Sequence, residues 1–246
     1  MNRNIFSRSQ IVPLALSLVA LGCSLGVEPE VTVVDAPTSE LLPHFSAQSD
    51  DTGLHIFARV GTEQNNFIRL PSGDRLVVTV DGGNETVLHE NGNDHELLYV
   101  ADLPAVSKQA EVVIALQRGD GKQSAPLSKA LVPAPFKITV APTTLKVPTN
   151  FALAFEGLSG NVDILPSGLC LTSPSSITGR FVDGKVIVDR WAPEFESNTN
   201  ECDVDFEVRI AMSGSLDSAF GRSSKLFDPI GFESVQRRAF KAHVSR

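Results

Sequence analysis

The feature of this sequence that most constrains its fold is a two-residue alternation of apolar and polar side chains, which recurs in short segments. Such alternation places apolar residues on one face of a β-strand and polar residues on the other. Clusters rich in Gly, Asn and Asp separate the segments, and these residues tolerate the positive φ of tight turns. In the first half the alternating segments are 54–60, 76–80 and 112–116, and the turn clusters are 71–74, 81–84, 91–94 and 118–121. The pattern predicts an all-β fold built from antiparallel β-sandwiches of immunoglobulin-like size.

A proline-rich segment divides the alternating pattern into two halves. Within residues 131–148 four prolines each remove a backbone hydrogen-bond donor and fix φ. We therefore predict two β domains in tandem, residues 31–134 and residues 135–246. In the second half the predicted strands are 136–140, 151–155, 177–182, 185–191, 202–210 and 232–244. Asp183-Gly184, between two of these strands, is the strongest hairpin signal in the chain.

One short segment has the signals of a helix. Ser215 is a favourable N-cap, Leu216 and Phe220 lie four positions apart, and Gly221 can terminate the helix. We expect one or two helical turns over residues 215–221.

The first 22 residues have the three-part layout of a secretory signal peptide. Arg3 and Arg8 precede an apolar run from Ile11 to Leu21, and small residues follow. As a helix this run would rise about 16 Å, roughly half of a 30 Å hydrocarbon core, so we do not expect it to span a membrane. We predict a signal peptide at 1–22 and a tether at 23–30.

The signal ends in Ala20-Leu21-Gly22-Cys23, which resembles the lipobox of bacterial lipoproteins. The resemblance implies that Cys23 becomes the N-terminus of the mature chain and carries acyl chains such as palmitate, as a diacylglycerol thioether plus an N-acyl group. At about 0.8 kcal/mol per buried methylene, several chains would hold the protein firmly in a lipid bilayer. Ser24 in the next position implies sorting to the outer membrane of the cell envelope, facing the periplasm or the surface. The alternative is a plain signal peptide in which Cys23 is incidental.

The two remaining cysteines are expected to pair. Cys202 opens an alternating segment and faces its apolar side. With Cys23 acylated and the compartment oxidising, Cys170 is its expected partner. Closing this loop would add about 3 to 4 kcal/mol of stability in the chain-entropy model. Two unpaired buried thiols are the alternative, and a metal site is disfavoured because no His or third Cys lies near either residue.

Charge argues against one class of partner. The chain has 21 Lys and Arg against 29 Asp and Glu, a net charge of -8, so we expect no nucleic-acid partner. Acidic groups concentrate in residues 24–135, whose net charge is -9, whereas residues 136–246 carry -1. Five bases near the C-terminus could form a positive face, although a solvated strand is the more common case: Lys225, Arg237, Arg238, Lys241 and Arg246.

No catalytic motif stands out, so we predict no catalytic residues, no cofactor and no metal. The segment from His89 to Glu96 gathers two His and three acids, which could bind a divalent cation if both imidazoles met. A polar turn explains the same composition. Arg118-Gly119-Asp120 matches the tripeptide that integrins recognise, but a hairpin turn already requires its Gly and Asp.

A second resemblance extends over most of the mature chain. It rests on Ser124-Ala125-Pro126, Pro133-Ala134-Pro135-Phe136, the Cys170 and Cys202 pair, and Leu216-Asp217-Ser218-Ala219-Phe220-Gly221. These motifs resemble a group of proteobacterial envelope lipoproteins. The resemblance implies an envelope location and a two-domain layout, and it carries no activity.

Two functions remain open from the sequence. The favoured hypothesis is a lipid-anchored, non-catalytic binding or structural module whose partner is an envelope protein or a glycan. The alternative is a secreted hydrolase or metal-dependent enzyme whose site assembles from dispersed residues near His89 and His95.

Overall fold

The structure is a computed structural model that describes residues 32–65, 67–92, 97–119, 121–158, 162–172, 176–222 and 231–246. Over these residues the chain forms 18 β-strands, one short 3-10 helix at Thr38–Glu40 and no α-helix. The prediction of an all-β sandwich fold is therefore confirmed.

The strands are numbered in chain order. Those of the first half are β1 (Thr32–Val33), β2 (Leu42–Ser49), β3 (Leu54–Gly61), β4 (Ile68–Arg69), β5 (Arg75–Val80), β6 (Thr86–Val87), β7 (His89–Gly92), β8 (Leu97–Leu103), β9 (Ala110–Gln117) and β10 (Ala125–Val132). Those of the second half are β11 (Lys137–Val140), β12 (Thr144–Lys146), β13 (Thr149–Glu156), β14 (Val162–Ser167), β15 (Ile177–Val182), β16 (Lys185–Trp191), β17 (Glu201–Ser213) and β18 (Gly231–Ser245).

One long sheet runs through both halves of the molecule. Its strand order is β11-β13-β16-β15-β14-β17-β18-β2-β3-β8-β7, and β12 pairs with β18 beside this path. A four-stranded sheet, β10-β9-β5-β6, and a two-stranded sheet, β1-β4, complete the fold. The long sheet changes partner within β15, because residues 177–179 pair with β14 and residues 180–182 pair with β16.

Two hydrophobic cores fill the sandwiches. The first lies between the four-stranded sheet and strands β2, β3 and β8, where the ring of Phe45 contacts Phe220 and Phe232 at centroid distances of 6.0 and 5.8 Å. The second lies between β13 and β16 on one side and β14, β17 and β18 on the other, with Trp191 and Phe206 at its centre. The first core thus takes two of its rings from the far end of the chain.

Strand β18 belongs to both sandwiches. On one side it pairs antiparallel with β17 along residues 233–245. On the other side it pairs parallel with β2 over residues 231–236 and with β12 over residues 243–245. Its even-numbered residues face inward, so that Phe232 enters the first core and Val244 enters the second. A single strand therefore supplies side chains to both cores.

Three polar residues occupy the inward positions of β18 between the two cores. Ser234 Oγ donates a hydrogen bond of 2.6 Å to a carbonyl of β10, and Gln236 Nε2 donates one of 3.1 Å to a carbonyl of β2. The guanidinium of Arg238 lies 5.6 Å from the centre of the Phe136 ring. Ser234 and Gln236 are fully buried, and a buried hydrogen bond is costly to leave unmade. These contacts fix where one core ends and the next begins.

The hairpin and disulfide predictions are confirmed. Asp183 and Gly184 join β15 to β16 with φ values of 49° and 75°, as a two-residue turn between right-twisted strands requires. Cys170 and Cys202 form a disulfide with their Cα atoms 6.1 Å apart. Cys170 is buried in the second core. The disulfide links the loop that follows β14 to the start of β17.

The predicted helix at residues 215–221 is wrong. Ser215 instead exchanges two backbone hydrogen bonds of 2.8 Å with Lys129 on the edge strand β10. The Asp217 carboxylate accepts a hydrogen bond of 2.8 Å from the backbone of Leu127, on the same edge. The polar residues that resemble a helix cap thus form hydrogen bonds with backbone groups of an edge strand. This pairing covers an edge that would otherwise be open to association with other chains.

Because β18 is shared, a cavity in the first core should destabilise the second as well. We expect Phe232→Ala to lower the free energy of unfolding by about 3 to 5 kcal/mol. In urea titrations, the fluorescence of Trp191, the single tryptophan, reports on the second core, and the near-UV signal of Tyr99, the single tyrosine, reports on the first. Both transitions should move together to lower urea concentration.

Val244→Ala, a change in the second core, serves as the matched control and should also move both signals. An unshifted Trp191 transition in the Phe232→Ala variant would show that the sandwiches unfold independently.

Candidate functional site

An open pocket lies at one end of the first sandwich. It has a volume of about 510 Å³ and lies between the connection from β5 to β6 and the loop from β8 to β9. A smaller hollow of about 310 Å³ lies near Glu40 and Glu63. The larger pocket is the better candidate for a binding site, because small-molecule sites are concave and mostly apolar.

The local sequence explains why this end of the sandwich stays open. The alternation in β5 turns Val78 and Val80 toward the core, and Leu103 ends β8 just before Pro104, which cannot donate to a ladder. At the opposite rim Asp81 adopts a φ of 49°, and its Oδ1 accepts a hydrogen bond of 2.8 Å from the backbone of Glu111. The turn is thereby fixed to β9.

The pocket has an apolar floor and a polar rim. Val78 is buried at the floor, and Leu103 and Val106 are partly buried against the first core. Asn84 and Ser107 lie on the rim. The arrangement could hold a molecule with an apolar body and a polar end.

A second constellation, which no sequence motif reveals, is a hydrogen-bonded chain of Asp102, His55 and Thr52. The register between β3 and β8 places His55 opposite Asp102. Nδ1 of His55 lies 2.6 Å from Asp102 Oδ1, and Nε2 lies 3.0 Å from Thr52 Oγ1. Hydrolases use a carboxylate, an imidazole and a hydroxyl in this order to activate a nucleophile.

The hydroxyl of Thr52 is, however, engaged elsewhere. Its Oγ1 lies 2.5 Å from Asp50 Oδ1, which also accepts a hydrogen bond of 2.8 Å from the Thr52 backbone. A hydroxyl has one proton to donate, and the carboxylate of Asp50 is the stronger acceptor. We therefore interpret these hydrogen bonds as structural: they stabilise the turn between β2 and β3.

The same carboxylate ties this turn to β18. Nε and Nη2 of Arg237 lie 3.2 and 3.0 Å from Asp50 Oδ2. Burial raises the pKa of Asp50, but hydrogen bonds from Thr52 and from Arg237 outweigh it and hold that pKa well below its usual range. Arg237 is thus paired with an acid and does not form part of an open positive face.

Of the two histidines singled out as a possible metal site, only His89 lies among the described residues. His89 is exposed on β7, and His95 lies outside the described residues. No group of three or more His, Cys, Asp or Glu within the described part of the chain could hold a metal ion.

His243 has a raised pKa because its imidazole hydrogen-bonds to Asp203, on the exposed face of the hairpin of β17 and β18. Tyr99 has its pKa raised by burial to about 12.

The integrin-type tripeptide has its arginine inside the molecule. The Arg118 side chain is 1% exposed, and its Nε lies 2.6 Å from Asp74 Oδ2. Its two terminal nitrogens donate hydrogen bonds of 3.0 and 3.1 Å to the carbonyl of Ala36. The side chain therefore holds the first sandwich together, while Asp120 lies outside the described residues.

The predicted lipidation site, Cys23, also lies outside the described residues, so lipidation stays a prediction. The first described residue is Thr32, nine positions further along. Among the helices in the part of the chain that is described, none has the length and apolar character needed to cross a membrane.

Comparisons with known proteins add little. No family model and no curated protein sequence matches the chain. Among solved structures, titin domains Z1Z2 in complex with telethonin are 13% identical, with 83% of this chain and 95% of that chain covered and a TM-score of 0.22. A chimeric titin Z1Z2-Z1Z2 tandem functionalised with a fibronectin GRGDS peptide is 12% identical, with coverages of 82% and 98% and a TM-score of 0.23. A chimeric titin Z1Z2 functionalised with a KLER peptide from decorin is 13% identical, with coverages of 84% and 97% and a TM-score of 0.22. Likeness at this level carries no argument about function.

From the hydrogen bonds that Asp50 accepts from Thr52 and Arg237, we predict a specific dependence of stability on pH. The pKa of Asp50 is lower in the folded state than the value of 3.8 typical of an unfolded chain. Its stabilisation is therefore complete above that value and is lost as pH falls toward the folded pKa. We expect Asp50→Asn to cost about 1.5 to 3 kcal/mol at neutral pH, the range for hydrogen bonds to a charged group.

The unfolding free energy of the variant should also fall less steeply than that of the wild type between about pH 4 and pH 2. Urea titrations across this range measure both slopes. Parallel curves would contradict the role assigned to Asp50.

Proposed function

We propose that this protein is a lipid-anchored envelope protein that acts as a non-catalytic binding module. The observation that carries the proposal is the open pocket with an apolar floor on the first sandwich. The shared strand β18 joins this sandwich to the second one. A site on rigid elements binds with little loss of conformational freedom. The second sandwich and its disulfide then serve as the frame that orients the first.

The charge distribution supports a covalent anchor in preference to electrostatic attachment. Residues 24–135 carry a net charge of -9, and an acidic surface is repelled by anionic lipid headgroups. Acyl chains on Cys23 would supply the membrane affinity that this surface lacks. The nine positions from Cys23 to Thr32 would span at most about 30 Å, so the first sandwich would remain close to the bilayer.

Acylation can be tested by mass spectrometry of the protein isolated from bacterial membranes. We expect an N-terminal peptide that begins at Cys23 and carries the added mass of a diacylglycerol and an N-acyl group. Cys23→Ala should leave the membrane fraction while its Trp191 fluorescence remains that of the folded protein.

Ser24→Ala, at the neighbouring position, serves as the matched control and should remain acylated and membrane-bound. An unmodified Cys23, or a Cys23→Ala variant that pellets as firmly as the wild type, would refute the anchor.

A further inference from the structure

We infer that the pocket of the first sandwich binds a small neutral amphiphile, a molecule with an apolar chain or ring and an uncharged end that bears hydroxyl or amide groups. This inference rests on the proposed function as a binding module and names the ligand class of its site.

The size and floor of the pocket define the apolar part of the ligand. A volume of about 510 Å³ falls within the range of small-molecule sites, which is roughly 300 to 1,000 Å³. Val78 and Ala110 at the floor are 1% and 3% exposed, and Val80, Leu103 and Val106 are partly buried against the first core. The pocket therefore opens onto the end of a hydrophobic core. An apolar group that entered it would be removed from water on several sides.

The rim defines the polar end. Asn84, Thr86 and Ser107 line the pocket, and no hydrogen bond between described residues uses their side chains. An amide and two hydroxyls can both donate and accept. A ligand group with the same dual character, such as a hydroxyl or an amide, is the complement of this rim.

The charge balance selects a neutral ligand. Lys108 Nζ lies 3.9 Å from Asp81 Oδ2, so the positive and negative charges on the rim offset each other. The surrounding half of the protein is strongly acidic, with a net charge of -9 over residues 24–135, which disfavours the approach of anions. A cation would lose hydration without gaining a free partner, because Asp81, the one acid among the residues that line the pocket, already faces Lys108. An uncharged end meets neither penalty.

The walls of the pocket are fixed before a ligand enters. Strand β5 pairs with β9 along its whole length, from Arg75 to Val80. The turn that follows is closed by a hydrogen bond of 2.9 Å from Gly83 to the carbonyl of Val80. Binding therefore requires no rearrangement of the backbone on this side.

Octyl glucoside below its critical micelle concentration is a suitable probe, because it joins an apolar chain to an uncharged hydroxylated head. The probe is titrated into the 15N-labelled full chain carrying Cys23→Ala, so that no acyl group of the protein competes. We expect saturable chemical-shift changes confined to residues 78–86 and 103–110. Octanoate, with a chain of similar length and a carboxylate head, should bind at least about fivefold more weakly, a difference of about 1 kcal/mol.

Two tryptophan substitutions separate pocket binding from general surface adsorption. Ala105 lines the pocket and is exposed, so Ala105→Trp should obstruct the opening without disturbing the core and should weaken binding at least tenfold. Ala152 is exposed on β13 of the second sandwich, and Ala152→Trp should leave the affinity unchanged. Asn84→Ala should weaken binding severalfold through the loss of one rim contact.

The inference is overturned by shift changes that do not saturate or that spread over the surface, by equal affinities of the two tryptophan variants, or by tighter binding of octanoate. An absence of probe binding would also overturn it and would leave the site to a macromolecular partner. Because the titration uses a chain without acylation, its result is independent of the anchor. Failure of the ligand inference and failure of the lipid anchor can thus be recognised separately.

Discussion

The architecture depends on the two-sided pairing of β18. This strand pairs with β17 on one side and with β2 and β12 in turn on the other, so its backbone hydrogen bonds link the two sandwiches directly. Gln236 and its acceptor on Ser49 are 187 positions apart in the chain, and both lie in buried surroundings where an unpaired polar group is costly. The orientation of one sandwich relative to the other is therefore set by a continuous ladder, where a flexible linker would leave it free.

This arrangement gives a physical role to the polar residues of β18. Polar side chains on a strand ordinarily face solvent, and the basic residues near the C-terminus favour a solvated strand. In the structure Arg238 packs its guanidinium against Phe136 between the two cores, and Arg237 pairs with Asp50 in the turn between β2 and β3. Charged groups at a junction demand specific partners, because each unpaired group would be costly. The junction thus has one favoured geometry.

Local pattern predicted much of the fold but not its pairing. The alternation of residues 54–60 identifies β3, and Asp183-Gly184 identifies a hairpin, because both signals act between neighbours in the chain. Nothing local distinguishes a helix cap at Ser215 from a segment that satisfies the edge of β10, so that prediction is wrong. The contact of His55 with Asp102 and the pocket beside Val78 arise from sheet register and packing across the sandwich. Neither leaves a sequence motif.

The late position of β18 has a consequence for the order in which the molecule can be completed. A chain synthesised from its N-terminus presents residues 32–134 first, yet the sheet beneath their core lacks a neighbour for β2 until residues 231–236 follow. Phe220 and Phe232, which close that core, come equally late. A partly synthesised chain would consequently expose a hydrophobic surface and an unpaired strand until its last residues are added.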